Sequence, residues 1–221
     1  MAALMTGADP ESIRFEENTL TIGGDKNAVI PLREVATAAY WTGFPLMHLE
    51  FSQAPAADYD HDTHQGNIYI AYNFGTHRMD VRVDTFTGRV EVLGHTACHD
   101  VGKVINPLGF EGQVQGASLI GFGMAHMERI EYGAGVVQNP NFADYAVPTI
   151  LDRIDTVPIA VEEANPTGPF GAKGIGEPPV AGTAAAFANA VADALGIRFR
   201  KLPITRQDIL FVLENPGGRD G

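Results

Sequence analysis

The chain has 221 residues, 45% hydrophobic and 19% charged, which is the composition of a globular protein and not of a disordered tail. Its 15 Lys and Arg stand against 27 Asp and Glu, a formal net charge of -12, so the concentrated basic surface that nucleic acid or an anionic membrane requires is excluded. The single cysteine, Cys98, excludes a disulfide framework and any multi-cysteine zinc or iron–sulfur site within the chain.

The opening M-A-A-L-M-T-G-A-D-P-E-S lacks the basic start and long apolar run of a signal peptide. No apolar stretch reaches the roughly 20 residues of a membrane span. A soluble, cytoplasmic protein is expected. The chain begins with the end of a helix, and Asp9-Pro10-Glu11-Ser12 reads as a turn. Ile13-Arg14-Phe15 and Thr19 to Ile22 alternate like two short strands, with Gly23-Gly24 closing the hairpin. Residues 31 to 40 predict a short helix, and the polar stretch 52 to 66 a loop. Residues 67 to 74 are rich in Ile, Tyr and Ala. Met79 to Asp84 and Arg89 to Leu93 alternate with period 2 around the turn Thr85-Phe86-Thr87-Gly88. Together they predict an antiparallel hairpin or meander with one buried face. From Gly112 to Arg129 the period becomes helical, carried by Val114, Ala117, Leu119, Ile120, Met124 and Met127. Four glycines interrupt that helix, each costing up to about 1 kcal/mol relative to alanine. A nearby backbone, a bulky ligand or tight helix packing would each account for them. A second helix spans 182 to 195 with Gly196 behind it, and Arg198 and Arg200 follow in a strand. Thr205 caps a last short helix through Leu213. The fold class is α+β, with mixed or antiparallel sheets and packed helices.

Two segments have the composition of a binding site. In Gly171-Ala172-Lys173-Gly174-Ile175-Gly176-Glu177-Pro178-Pro179 the glycines free the backbone to adopt positive φ and expose its N–H groups. The two prolines then fix the chain behind the carboxylate of Glu177, and a helix starts near Gly182 or Thr183. Buried beside an apolar substrate, such a carboxylate would serve as a general base near neutral pH. A plain turn entering a helix accounts for the segment equally well. The second segment, His95 to Gly116, delivers Gln113 to the glycine-spotted helix; its amide suits a heterocycle or an oxo ligand, and equally suits solvent. His61 and His64 have metal-ligand spacing in a loop polar enough to leave them solvated. Cys98, beside His99, reads as an inert thiol or as a nucleophile with a neighbouring base, and Phe122, Met124 and Met127 as core.

Several segments together resemble the molybdenum hydroxylases, the xanthine dehydrogenase and aldehyde oxidase family, in the C-terminal molybdopterin-binding portion of their large subunit. They are Y-N-F-G-T-H-R-M-D-V-R-V-D-T-F-T-G-R-V (72 to 90), H-D-V-G-K-V-I-N-P (99 to 107), G-Q-V-Q-G-A (112 to 117), N-F-A-D-Y-A-V-P-T (141 to 149), G-P-F-G-A-K-G-I-G-E-P-P (168 to 179) and F-A-N-A-V-A-D-A-L-G-I-R-F-R-K-L-P-I-T (187 to 205). Their order and spacing agree over nearly the whole chain. The resemblance implies that the metal is held by the dithiolene of the pterin and by no protein side chain. It places Glu177 on the catalytic base that takes the proton of a metal-bound hydroxyl as that oxygen attacks an electron-poor carbon. Lys173, Gly174, Ile175 and Gly176 fall on the loop whose backbone wraps the cofactor, and Gln113 on a glutamine near it. The implied cofactor is molybdenum-molybdopterin, in the cytosine dinucleotide form if the source is bacterial. The implied 2Fe-2S and FAD groups sit on partner subunits, and the implied substrate is a small N-heterocycle (purine or nicotinate-like) or an aldehyde.

The family's large subunit is several times longer. Its Gly-Gln-Gly motif, a second glutamine loop and its substrate-orienting arginine region have no counterpart here. Residues 1–66 are therefore expected to complete a domain shared with another half, and 67–221 to form the C-terminal molybdopterin-binding portion. That other half, an iron–sulfur subunit and an FAD subunit are the expected partners. A non-catalytic assembly or interaction fragment of such a complex is the alternative.

Overall fold

A computed structural model describes residues 1–51, 58–69 and 71–215, apart from the Lys26 side chain. Its contacts divide the chain into two units, Met1–Gln53 and Ala54–Gly221.

In the first unit, α1 (Ala2–Thr6) and a 3-10 turn at Pro10–Ser12 precede a three-stranded antiparallel sheet. Its strands are β1 (Ile13–Glu16), β2 (Thr19–Ile22) and β3 (Asp25–Pro31). The β1–β2 hairpin turns at Glu17-Asn18, both at positive φ, and Gly23-Gly24 connects β2 to β3 instead of closing the first hairpin. The third strand was not expected; its mixed sequence D-K-N-A-V-I-P has little alternation to mark it. Then α2 (Leu32–Thr42) ends on Gly43 in the left-handed conformation.

In the second unit β4 (Asp58–Asp60) and β5 (Gln65–Asn67) pair as a small hairpin inside the expected loop; residues 52–57 of that loop lie outside the described residues. The main sheet is built from β6 (Gly75–Val83) and β7 (Val90–Asp100), antiparallel as the alternation predicts. After α3 (Pro107–His126) and the short pair β8 (Tyr132–Gly133) and β9 (Val136–Val137), β10 (Thr156–Val161) adds to β7 in parallel. The strand order is β10-β7-β6. Two helices complete the unit, α4 (Pro178–Leu195), packed on both α3 and β6, and α5 (Arg206–Glu214).

Three expectations change. Strand β7 runs on through His95 to Asp100, because His95, Ala97 and His99 alternate into the core. Helix α4 begins at Pro178 and not near Gly182, since a proline at the first helical position lacks only an N–H that the helix leaves unpaired. Arg198 to Arg200 alternate in exposure, yet they form no strand, because no other strand pairs with them among the described residues. Thr205 does cap α5, and its side chain and that of Asp208 bond each other's backbone N–H in a capping box.

Met79, Phe122, Phe187, Val191, Ile204 and Ile209 form the main core between sheet and helices. Phe122 and Phe187 meet edge to face at 5.4 Å. Met127 packs at its rim, whereas Met124, expected inside, is half exposed because it falls on the outer face of α3. A second cluster, Ala97, Val101, Phe110 and Val114, sits at the far end of β7.

Candidate active site

The segment 171–179 lies where β7, α3 and α4 meet, and each of its side chains is placed by a different force. Gly102 follows the end of β7 at φ +63, and a Cβ there would overlap the carbonyl oxygen of Gly171. That close approach brings the loop onto the strand end, where Lys173 N–H donates to Val101 O at 2.9 Å. The Lys173 ammonium pairs with Asp100 at 2.5 Å and donates to Tyr72 O at 3.3 Å. Both side chains of the ion pair are nearly buried, 11% and 13% exposed, and the lysine holds the Asp100 carboxyl below the usual carboxylate range. Lys173 is thus a clip for the loop, with its ammonium turned inward.

Ile175 packs its side chain against the second core cluster, between two exposed glycines. Gly174 and Gly176 have ordinary φ, against expectation; among the glycines of this loop only Gly171, at φ +82, uses the left-handed region. What Gly174 and Gly176 contribute is open space, since a Cβ on either would meet nothing within 4 Å. Gln113 reaches across from α3 and donates its amide N–H to Gly176 O at 2.5 Å. Asn73, which carried no sequence signal of its own, donates to Gly174 O at 2.6 Å. Three anchors from distant parts of the chain therefore hold Lys173, Gly174 and Gly176.

The result is a row of unused donors. The backbone N–H groups of Gly174, Ile175, Gly176 and Glu177 bond to no acceptor among the described residues. They lie just ahead of the 18-residue helix α4, whose aligned peptide dipoles favour an anion or oxo group at that end. Glu177 occupies the N-cap position, but its side chain makes no capping bond. The next two residues are prolines without N–H, and Val180 N–H is already bonded to Glu177 O. Its carboxylate is exposed and joins no hydrogen bond or ion pair among the described residues. Beside it a pocket is lined by Tyr72, Asn73, His77, His99, Pro178 and Gly182. Donor amides, a free carboxylate and this pocket fit a group rich in acceptor atoms, as a pterin carrying phosphate is.

The other sequence candidates fall elsewhere. His61 and His64 stack on and bond to Tyr59 in the β4–β5 hairpin, and no cluster of metal-ligating side chains exists among the described residues. Cys98 is half buried on β7. His77, His95 and His99, which the sequence reading passed over, form a hydrogen-bonded cluster in the pocket wall. The even spacing of residues 95 and 99 along one strand face was the signal available.

Comparison with known proteins identifies the family. A family model described as a molybdopterin cofactor-binding domain matches residues 1–154. The aldehyde oxidoreductase molybdenum-binding subunit PaoC of Escherichia coli K12 is 32% identical over 213 residues, covering 95% of this chain and 27% of that protein. The putative xanthine dehydrogenase molybdenum-binding subunit XdhA of the same strain is 40% identical over 134 residues, 60% of this chain and 18% of that one. Among solved structures, quinoline 2-oxidoreductase from Pseudomonas putida 86 superposes with a TM-score of 0.71 at 26% identity, over 96% of this chain and 27% of that chain. The chain thus spans about a quarter or less of the length of these relatives. It belongs to the molybdopterin cofactor-binding domain family of the molybdenum hydroxylases.

Proposed function

We propose that this chain is the base-bearing wall of a molybdenum hydroxylase that oxidises an N-heterocycle (purine or nicotinate-like) or an aldehyde with water as the oxygen source. The observation that carries the reading is the free carboxylate of Glu177, placed after four unpaired N–H groups on a loop anchored at three points. Neither capping nor ion pairing accounts for that carboxylate. When bound, the molybdenum-molybdopterin group would supply two-electron redox chemistry. Gly174, Ile175 and Gly176 would hold it through their N–H groups, and Lys173 and Gln113 would keep those groups in place. Glu177 would take up, on a carboxylate oxygen, the proton released as water-derived oxygen is joined to the electron-poor carbon.

Residues 1–66 would complete a domain shared with another half of the subunit. The electrons would pass to 2Fe-2S and FAD groups on partner subunits, and the cofactor would carry the cytosine dinucleotide form in a bacterial host. Curated relatives are named as subunits, among them the nicotine 6-hydroxylase large subunit of Paenarthrobacter nicotinovorans, which supports an assembly of this kind. The small share of those relatives that the chain spans favours a second reading, a non-catalytic assembly fragment. Glu177→Gln in the assembled complex separates the two. The expected result is loss of turnover with molybdenum and pterin content unchanged, and retained turnover would remove Glu177 from the chemistry.

A further inference from the structure

In the pocket wall of the candidate site three histidines form one hydrogen-bonded chain. His77 on β6 stands between two residues of β7, its Nδ1 3.1 Å from His95 Nε2 and its Nε2 2.9 Å from His99 Nε2. His95 Nδ1 lies 3.1 Å from the hydroxyl of Thr156 on β10. His95 and His99 are each 2% exposed. Two glycines make room for the rings. A Cβ on Gly75 would lie 2.7 Å from His99, and one on Gly182 would overlap His77.

Thr183 decides where the protons sit. Its one O–H donates to Pro179 O at 3.2 Å, so toward His77 Nδ1, also at 3.2 Å, its oxygen can only accept. His77 therefore carries its proton on Nδ1, shared between Thr183 and His95 Nε2. Its Nε2 is then a lone pair that accepts from His99 Nε2–H, and His95 donates from Nδ1 to Thr156. In this ordering all three rings are neutral, in accord with the burial that lowers the pKa of each. The atom left over is His99 Nδ1, a buried lone pair without a partner. In the reverse ordering a buried N–H would be stranded there and Thr183, with one proton, could bond only one of His77 and Pro179, which costs more.

This chain grips α4 at Thr183 in its second turn, and the Thr183 hydroxyl reaches back to Pro179 O in the first. From the other side α3 presses on the same two turns, where a Cβ on Gly121 would lie 2.7 Å from Thr183 Cβ and 2.9 Å from Val180 O. Ahead of Glu177, Asp100 holds Lys173, and Asp100 is the strand neighbour of His99. The carboxylate thus stands between two attachments to the end of β7. We propose that the neutral His95–His77–His99 chain, acting through the His77–Thr183 hydrogen bond, is a positioning device that sets the start of α4 and so the place of the Glu177 carboxylate. This inference rests on the reading of Glu177 as the base.

Thr183→Val keeps the side-chain shape and removes the oxygen, and Thr183→Ser restores it. In the assembled enzyme, Thr183→Val should lower kcat about 10- to 100-fold with KM, molybdenum and pterin unchanged, and Thr183→Ser should recover most of it. Nitrogen-15 NMR of the unsubstituted, histidine-labelled complex should show His77 and His95 protonated on Nδ1 and His99 on Nε2. That measurement decides even where Thr183→Val fails to fold. Wild-type kcat in Thr183→Val, a parallel loss of cofactor, or His77 protonated on Nε2 would each overturn the positioning role. Full activity in Thr183→Val beside an inactive Glu177→Gln strikes the positioning alone, whereas an active Glu177→Gln strikes the base assignment.

Discussion

At the scale of single residues, Lys173 and Asp100 form the interaction most exposed to testing. Removing one partner of a nearly buried pair leaves the other charge uncompensated, and the loss exceeds what the pair itself contributes. Lys173→Met should therefore destabilise the second unit by about 3 kcal/mol in chemical denaturation. Lys173→Met combined with Asp100→Asn should be milder than the single change. The histidines supply a pH dependence with a definite sign. Burial lowers the pKa of His77, His95 and His99, and the charges of His95 and His99 help to bring His77 to about 4. The unfolded chain then binds protons that the folded chain refuses, so stability is full above about pH 6.5 and falls as pH drops toward 4. Thermal unfolding of the chain between pH 7 and pH 4 should show a Tm that declines through that window, and a Tm that stays level would contradict the neutral cluster. None of these partners is adjacent in sequence. Lys173 was legible as part of a motif, but its carboxylate lies in a different element.

At the scale of elements, four of the five glycines of α3, those from Gly112 onward, prove to be of two kinds. Gly121 and Gly123 are buried against α4 and Pro148, whereas Gly112 and Gly116 face open space. Gly121→Ala should push apart α3 and α4 at Thr183 and Val180 and cost about 1–3 kcal/mol. Gly116→Ala should instead stabilise the helix by up to about 1 kcal/mol in the same thermal measurement. Local signals placed most helices and the β6–β7 hairpin well, because amphipathic period, proline at the helix start and left-handed glycine at its end act within a few residues. The parallel strand β10 escaped notice. Its partner is 61 residues away in register, Thr156 opposite His95, and the T-V-P-I-A-V run is short and carries a proline.

At the scale of the whole molecule, the proposed assembly has a candidate contact surface in the first unit. Residues 40–51 of the first unit expose Trp41 and Met47 to 79% and 88%, with Tyr40, Leu46, Leu49 and Phe51 also open. Apolar surface of that extent is ordinarily covered. Co-expression with a chain carrying the upstream half should yield a co-purifying complex with molybdenum and pterin, and a lower response to a hydrophobic dye than the chain alone. A complex that forms without molybdenum and pterin under those conditions would favour the non-catalytic reading. Among the described residues no helix is long and apolar enough to cross a membrane.

The amino-acid sequence by itself determined the α+β class, the presence of the helices and the segment containing Glu177, since these depend on neighbours within a turn or two of chain. It also carried the family, through motifs whose order persists from residue 72 to residue 205. Only the tertiary structure decided that Lys173 points inward, that Gln113 and Asn73 hold the loop from two sides, and that three histidines share protons behind it. Those facts depend on contacts across 18 to 101 residues of chain, where burial and donor counting select one arrangement and no local pattern announces it.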